Sequence, residues 1–474
     1  MTHAHAIWIA GKRATPNIDL EVVDKFTGSP IARVAVAGPD LVEEAIASAF
    51  AARAAFASVP VHARRDMLRH AADRFDAQRD DLADLLRAEG GKPISAARGE
   101  VSRLIETFTI ASEEAVRIAG ETIPMETSAR TEGYRATTQR VPIGACGFIT
   151  PFNFPLNLVA HKVAPAIAAG CPFVLKPSDK TPLSALAIAG VLDELDLPEG
   201  SWSVLCCSNE DAAPIVADER LRLLSFTGSD TVGRELAKQA GMKRIVMELG
   251  GNAACIVDET ADLDDAIDRI IAGAYTTTGQ RCISVQRIIA HASTYSALRD
   301  RLVERVRALP AGDPAEPGTV VGPMISADAA GALHGRITHA VDAGAAMLAG
   351  GTRDGALLAP TLLEGVPPAH ALNQEEAFGP VAMLASFDDF DEALAQVNDS
   401  RFGLQAGVFT TDLRRAHRAW NTLEVGAVVI NDAPSFRVDH MPYGGVKHSG
   451  LGREGPRAAI ADMTEERLLI IRGV

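Results

Sequence analysis

The 474-residue chain reads as an α/β protein, with a doubly wound parallel sheet followed by a second α/β unit. Three observations carry that expectation. Between residues 145 and 248, short apolar runs alternate with stretches of helical spacing through five strands. Those runs are continuous rather than alternating, as in strands covered on both faces. A second alternating series then begins after Gly251. The length exceeds what one core fills, so two or three domains are expected.

In chain order, residues 1–38 give short extended pieces at 6–10, 21–23 and 31–36, punctuated by Gly11, Gly28-Ser29-Pro30 and Gly38-Pro39. Helical spacing predicts one helix over 41–56 and a longer one over 64–88, stopped by Gly90-Gly91 and Pro93. A third, over 100–118, carries an apolar stripe of Val101, Leu104, Ile105, Phe108, Ala111 and Ala115, with Arg103 off it. Strands at 145–149 and 173–175 flank a helix over 156–169. Thr181-Pro182 reads as a helix start, Thr capping and Pro in the first turn. That helix runs to 195. Strands at 203–206, 221–226 and 244–248 follow, with helices near 211–217 and 232–240 between them.

The second series predicts helices at 263–274, 295–308, 327–343, 390–398 and 413–423, and strands at 254–257, 287–290, 407–410 and 426–430. The tail, 466–472, is an apolar strand. An unpaired apolar edge invites another subunit, so an oligomer is expected.

Composition narrows the class. Hydrophobic residues make up 47% and charged residues 23%, as in ordinary globular chains. A net charge of −15 argues against nucleic acid as a partner. The start carries no signal-peptide pattern. The longest weakly polar run, 163–175, holds two prolines and is too short to span a bilayer. The six cysteines form no CxxC and no framework, so reduced thiols in a cytoplasmic protein, without a bound metal, are expected.

The chemistry centres on Thr278-Gly279-Gln280-Arg281-Cys282 and, upstream, Glu248-Leu249-Gly250-Gly251. A sulfur nucleophile and a carboxylate base are the equipment for covalent catalysis followed by hydrolysis. Phe226-Thr227-Gly228-Ser229 closes a strand and opens a helix, whose free N–H groups suit an anion. An ordinary Ser-capped turn would look the same, and the spacing is not GxGxxG. Lys176-Pro177-Ser178-Asp179 ends another strand where a nucleotide ribose would lie. An acid there accepts ribose hydroxyls and repels a 2′-phosphate, favouring NAD over NADP; a solvated Lys–Asp pair is the plainer reading. In Thr150-Pro151-Phe152-Asn153-Phe154-Pro155, prolines stiffen a turn bearing Asn153, a neutral donor suited to an oxyanion or to its own backbone. Glu375–Pro380 is an acid–aromatic loop able to hold a ribose and a flat ring.

Asn153 in PFNFP, Lys176 in KPSD, FTGS at 226–229, ELGG at 248–251, GQRC at 279–282, the Glu376–Phe378 loop and PYGGVK at 442–447 occur in this order at these separations. The ordered set resembles the aldehyde dehydrogenase superfamily over essentially the whole chain. The resemblance implies a Rossmann-type domain for NAD over 1–122 and 143–249. It implies a catalytic domain over 250–434, and a small β oligomerisation flap over 123–142 and 455–474, in a homodimer or homotetramer. It implies that Cys282 attacks an aldehyde, that Asn153 and the Cys282 N–H hold the oxyanion, and that Glu248 activates water. Lys162 matches a lysine near the active site. The dinucleotide would be seated by Thr150, Pro151 and Phe152, by Lys176, Ser178 and Asp179, and by Phe226, Thr227, Gly228 and Ser229. Leu249, Glu376 and Phe378 would complete the seat. Asp179 stands where a longer Glu is frequent, which leaves NADP in play. Glu248 argues against the CoA-acylating branch, and the presence of Cys282, Glu248 and Asn153 against a non-catalytic homologue.

Arg103, His161, Arg281 and Arg437 resemble the basic positions of the branch that handles small anionic aldehydes. That branch holds phosphonoacetaldehyde and non-phosphorylating glyceraldehyde-3-phosphate dehydrogenases, with lactaldehyde dehydrogenases as relatives. Arg suits a phosphonate, sulfonate or carboxylate. A phosphonate- or sulfonate-bearing aldehyde is therefore the expected substrate, with a hydroxyaldehyde such as lactaldehyde as the alternative. Each residue also has a plainer reading. Arg103 could pair with Glu100 or Glu106, Arg437 with Asp439, and His161 could be a hydrogen-bonded core histidine.

Overall fold

The computed structural model describes residues 3–473; residues 1, 2 and 474, at the ends of the expected spans, lie outside it. An eight-stranded sheet has at its centre five parallel strands in the order Arg244–Glu248, Leu221–Thr227, Ala145–Ile149, Phe173–Lys176, Trp202–Val204. Short antiparallel strands extend both ends, Gly450–Leu451 on one side and Ile7–Ile9 then Lys12–Ala14 on the other. Every residue of the helix Asn157–Ala169 is buried against this sheet and its flanking helices, as its nearly all-apolar sequence requires.

A seven-stranded sheet forms the second unit. Its six parallel strands run Thr361–Glu364, Val381–Phe387, Arg287–His291, Ala254–Val257, Gln405–Phe409, Ala427–Ile430, and Ala346–Ala349 adds an antiparallel edge. A separate three-stranded antiparallel sheet joins Thr464–Arg472, Tyr134–Pro142 and Thr122–Ile123.

Four local expectations change. The long helix expected over 64–88 is two helices, Val61–Ala77 and Arg79–Gly90, because Gln78 leaves helical geometry at ψ +17° without any Gly or Pro to announce it. The third helix begins at Ile94, directly after Pro93, and ends at Ala115. The helix Pro182–Leu192 is not capped by the Thr181 side chain. Its Leu183 and Ser184 N–H groups donate instead to the buried Glu89 carboxylate, at 2.8 and 2.7 Å. The tail strand is not unpaired: Thr464–Arg472 bonds along its full length to Tyr134–Pro142, leaving only its outer edge free.

Candidate active site

The strand order dictates where a ligand can lie. From Ala145–Ile149 the chain winds through Phe173–Lys176 to Trp202–Val204, then returns to the other side for Leu221–Thr227. The connections leaving Ala145–Ile149 and Leu221–Thr227 therefore diverge, opening a crevice at the strands' carboxyl ends. Its walls are the loops at Pro151–Phe154 and Thr227–Ser229, and Glu248, which ends the next strand in register with Thr227. The second unit contributes Arg281, Cys282, Ile283, Glu376 and Phe378; the C-terminal stretch adds Arg437, Tyr443 and Glu454.

The cysteine is presented by a strained turn. Thr277 and Thr278 have φ of +59° and +58°, and Gly279 follows at +64°. A Cβ at Gly279 would sit 2.2 Å from the Gly379 carbonyl oxygen, so only glycine fits. The β-branched threonines hold this rare backbone because Thr278 Oγ1 bridges to Gly322, accepting from its N–H at 3.0 Å. Asn153 Nδ2 donates to the Gln280 carbonyl at 3.0 Å, fixing its amide beside the same turn. Cys282 Sγ lies 2.9 Å from the Tyr443 hydroxyl. Burial pushes the thiol up to about 11, against the pull of the Tyr443 hydrogen bond.

Two carboxylates face this sulfur's surroundings with opposite character. Both Glu248 oxygens are buried without a hydrogen bond. Burial, then the charge of Glu454, raises Glu248 well above the usual carboxylate range. Glu454 is held down to about 2 against its own burial, because Lys162 lies 3.1 Å from one oxygen and Arg437 3.1 Å from the other. Lys162 itself is buried beneath the crevice. It also donates to Ser225 Oγ at 2.9 Å and Thr227 Oγ1 at 2.8 Å.

The four basic residues separate. Arg103 grips Asp439 with two bonds, at 3.0 and 2.7 Å, rather than pairing with Glu100 or Glu106. Glu100 is engaged elsewhere, with Lys92 and the Leu156 and Asn157 N–H groups. Arg437 pairs with Glu454 rather than Asp439, and its guanidinium lies 3.8 Å from the Tyr443 ring centroid. His161 is a fully buried histidine whose Nε2 lies 2.8 Å from an Asp439 oxygen and 3.1 Å from Arg437 Nη2; burial, then the Arg437 charge, lowers its pKa. Arg281 lines the crevice, gives one bond to the Ser435 carbonyl at 2.8 Å, and has no acid partner among the described residues. Burial, then the Arg103 charge, lowers it to about 10.

Of the residues expected to seat a dinucleotide, Pro151, Phe152, Thr227, Gly228, Ser229, Leu249, Glu376 and Phe378 line the crevice, while Thr150, Lys176, Ser178, Asp179 and Phe226 do not. Ser229 caps the helix Asp230–Gln239 by accepting from Val232 N–H, and Gly228 precedes it, so the first turn faces the opening. Lys176 is buried at its strand end, while Ser178 is half-buried and Asp179 exposed. Thr150 Oγ1 is a buried hydroxyl with no partner. Glu376 accepts from Gly251 N–H at 3.2 Å, and burial raises it to about 8, outweighing that bond. A Cβ at Gly250 would lie 2.3 Å from Glu376, so the carboxyl and the Gly-Gly backbone close on each other. Phe378, at φ +52°, meets Phe152 edge to face at 5.7 Å, and Leu249 adds apolar wall with Pro151; Phe226 is buried behind.

Sequence reasoning passed over Tyr443, Glu454 and Asp439 as site residues. Tyr443 stood within PYGGVK, which flagged the loop without assigning the side chain. Glu454 and Asp439 carry no motif, and their partners lie 292 and 336 positions away.

Comparison with known proteins follows the same outline. The family model described as "Aldehyde dehydrogenase family" matches residues 8–469. A 3-sulfolactaldehyde dehydrogenase of Priestia aryabhattai is 41% identical over 469 residues, covering 98% of each chain. The crystal structure of aldehyde dehydrogenase 21 from Physcomitrella patens, in complex with the reaction product succinate, superposes with a TM-score of 0.98 at 44% identity, covering 100% of this chain and 99% of that one. Glyceraldehyde-3-phosphate dehydrogenase GapN from Methanocaldococcus jannaschii, complexed with NADP, gives 0.92 at 36% identity, over 96% and 100%. The match runs along essentially the whole length, and the chain belongs to the aldehyde dehydrogenase family.

Proposed function

We propose that the protein oxidises a short aldehyde carrying a sulfonate or carboxylate at its far end to the corresponding acid. The observation that carries this is Arg281: a half-buried cation beside the nucleophile, lining the crevice, with no acid to neutralise it among the described residues. An uncompensated charge held partly out of water is expensive, and an anionic substrate would relieve it. Arg103 and Arg437 flank the same crevice and add positive potential, although carboxylates already engage both. The sulfolactaldehyde enzyme and the succinate-bound structure, both over 40% identical, support the same substrate class.

In this reading Cys282 Sγ attacks the carbonyl carbon. The oxyanion is received by Asn153 Nδ2 and the Cys282 N–H, which has no backbone partner among the described residues. A nicotinamide held in the crevice would supply the hydride acceptor, and loss of hydride from the tetrahedral adduct would leave a thioester on Cys282. Glu248 then takes a proton from water, the water oxygen attacks the thioester carbon, and the acid departs as Cys282 recovers its thiol. Lys162 holds Glu454 ionised beside Glu248. Lys176, Ser178 and Asp179 with Glu376 take the ribose hydroxyls, Gly228 and Ser229 the pyrophosphate, and Thr150, Leu249 and Phe378 the rest. Asp179, exposed at the ribose end, repels a 2′-phosphate and favours NAD over NADP. The enzyme works in the cytoplasm as a homo-oligomer built through its apolar tail strand.

The test is reduced-cofactor formation with NAD and NADP on sulfolactaldehyde, succinic semialdehyde, phosphonoacetaldehyde, lactaldehyde and propanal. Wild type should prefer an anionic aldehyde. Arg281→Met should raise KM for that aldehyde about tenfold to a hundredfold, the worth of a lost charge-assisted hydrogen bond, and leave propanal unchanged. Equal effects on both aldehydes would remove Arg281 from the anion site.

A further inference from the structure

Tyr443 carries a hydroxyl that its packing does not need. The residue is 2% exposed, and its ring sits in an apolar cluster with Ile283 and Leu404. A phenylalanine would fill the same space. The backbone is clamped by reciprocal bonds with Glu454: Tyr443 N–H donates to the Glu454 carbonyl at 3.0 Å, and Glu454 N–H to the Tyr443 carbonyl at 2.6 Å. The ring is pinned from above by the Arg437 guanidinium, 3.8 Å from its centroid. Within this fixed frame the hydroxyl has one hydrogen-bond partner among the described residues, Cys282 Sγ at 2.9 Å.

We propose that Tyr443 is a further catalytic residue, whose O–H donates to the Cys282 sulfur and holds it as the reactive thiolate. The inference rests on Cys282 being the nucleophile, as in the reading above. The need is plain: Cys282 is half-buried, and desolvation of its sulfur favours the neutral, inert thiol. Asn153 Nδ2 is given to the Gln280 carbonyl, so that bond does not serve the sulfur. A phenol donating to a thiolate is a charge-assisted bond, and it stabilises only the ionised sulfur. The Arg437 cation over the ring makes the phenol a better donor, since it withdraws electron density from the π face. The thiol proton leaves to water in the crevice, and no other bond changes. Arg437 thereby connects the charged floor at Glu454 to the nucleophile through one aromatic ring.

The test reads the sulfur directly and needs no substrate. The full-length protein is alkylated with short pulses of iodoacetamide from about pH 6 to about 12, and the Cys282 peptide is quantified by mass spectrometry. Tyr443→Phe should move the alkylation midpoint upward and slow alkylation at pH 8 by about tenfold or more, as loss of a hydrogen bond to an ion predicts. Replacing the chain's four tyrosines by 3-fluorotyrosine, a stronger donor, should move the midpoint the other way. This second arm decides if Tyr443→Phe does not fold. A midpoint unchanged in both arms overturns the proposal, even if the enzyme is active. Shifted midpoints in a protein that oxidises no aldehyde would overturn the proposed activity and leave the Tyr443 assignment standing.

Discussion

Glu248 and Glu454 show how neighbours divide two carboxyls that burial alone would treat alike. Glu454 is ionised because Lys162 and Arg437 hold one oxygen each. Glu248 has no hydrogen-bond partner, and burial, then Glu454's negative charge, raises its pKa. The sign for catalysis follows. A base whose pKa is raised is available only as pH rises, so turnover limited by thioester hydrolysis should climb with pH, while the first-turnover burst of reduced cofactor persists at lower pH. Glu454→Gln removes the neighbouring negative charge and releases Lys162, both of which lower Glu248. The alkaline-rising limb of kcat should therefore shift to lower pH by about one unit, the effect of one like charge nearby. A limb that stays in place would show that Glu454 does not face the base electrically. The motif residues were legible because each sits in a short, ordered signature: Asn153, Glu248 and Cys282 stand together around one crevice. Tyr443, Glu454 and Asp439 act through contacts made across hundreds of residues. No local spacing announces such contacts, and plausible local partners such as Glu100 misdirect: it is occupied by Lys92 and by two helix N–H groups.

At the scale of elements, two helices that build the site are capped by glutamates from other helices. Glu100, on Ile94–Ala115, accepts from Leu156 and Asn157 N–H at the start of Asn157–Ala169, the helix that carries His161 and Lys162. Glu89, on Arg79–Gly90, does the same for Pro182–Leu192 and also accepts from the Ser184 hydroxyl. Sequence logic placed the second cap on Thr181 because it assumes a local donor set; a cap borrowed from about 95 residues away leaves no such trace. The break at Gln78 escaped because no Gly or Pro marks it, whereas the strands Thr361–Glu364 and Val381–Phe387 were passed over although Pro360, Gly365 and Gly379-Pro380 punctuate them. The alternating strands and helices from 145 to 248 were legible because a sheet covered on both faces writes itself as continuous apolar runs. Glu89→Ala removes the acceptor for two buried N–H groups and a hydroxyl. It should destabilise the protein by about 3–9 kcal/mol, at about 1–3 for each group left unsatisfied, read as a lower denaturant midpoint at unchanged slope. Burial raises Glu89 to about 7, so the wild-type stability should fall as pH rises from 4.5 to about 7, where the unfolded chain has already released this proton. The alanine variant should lose that portion of the pH dependence.

For the whole molecule, the strand Thr464–Arg472 poses the remaining packing question. It bonds through one edge to Tyr134–Pro142 and offers the other to solvent. Leu468, Leu469, Ile470 and Ile471 are 49, 58, 51 and 43% exposed, so both faces of the strand are apolar and uncovered. Isolated exposed apolar residues need no explanation, but four in succession on a free edge do. Edge strands that remain monomeric are protected by inward charges, prolines or bulges; this one pairs without a register shift and has none across those four residues. The chain as a whole carries a charge of −15, which opposes indiscriminate association, and we propose this apolar strand as the place where copies meet. Light scattering on the purified protein should therefore report a dimer or tetramer of 50.0 kDa chains. Leu469 and Ile471 point to the same face, so Leu469→Lys/Ile471→Lys places two like charges there and should yield the 50.0 kDa monomer. A cooperative denaturant transition with wild-type slope in that variant would show that the fold survives. A wild type already monomeric at tens of micromolar would mean that this strand meets something other than its own copy.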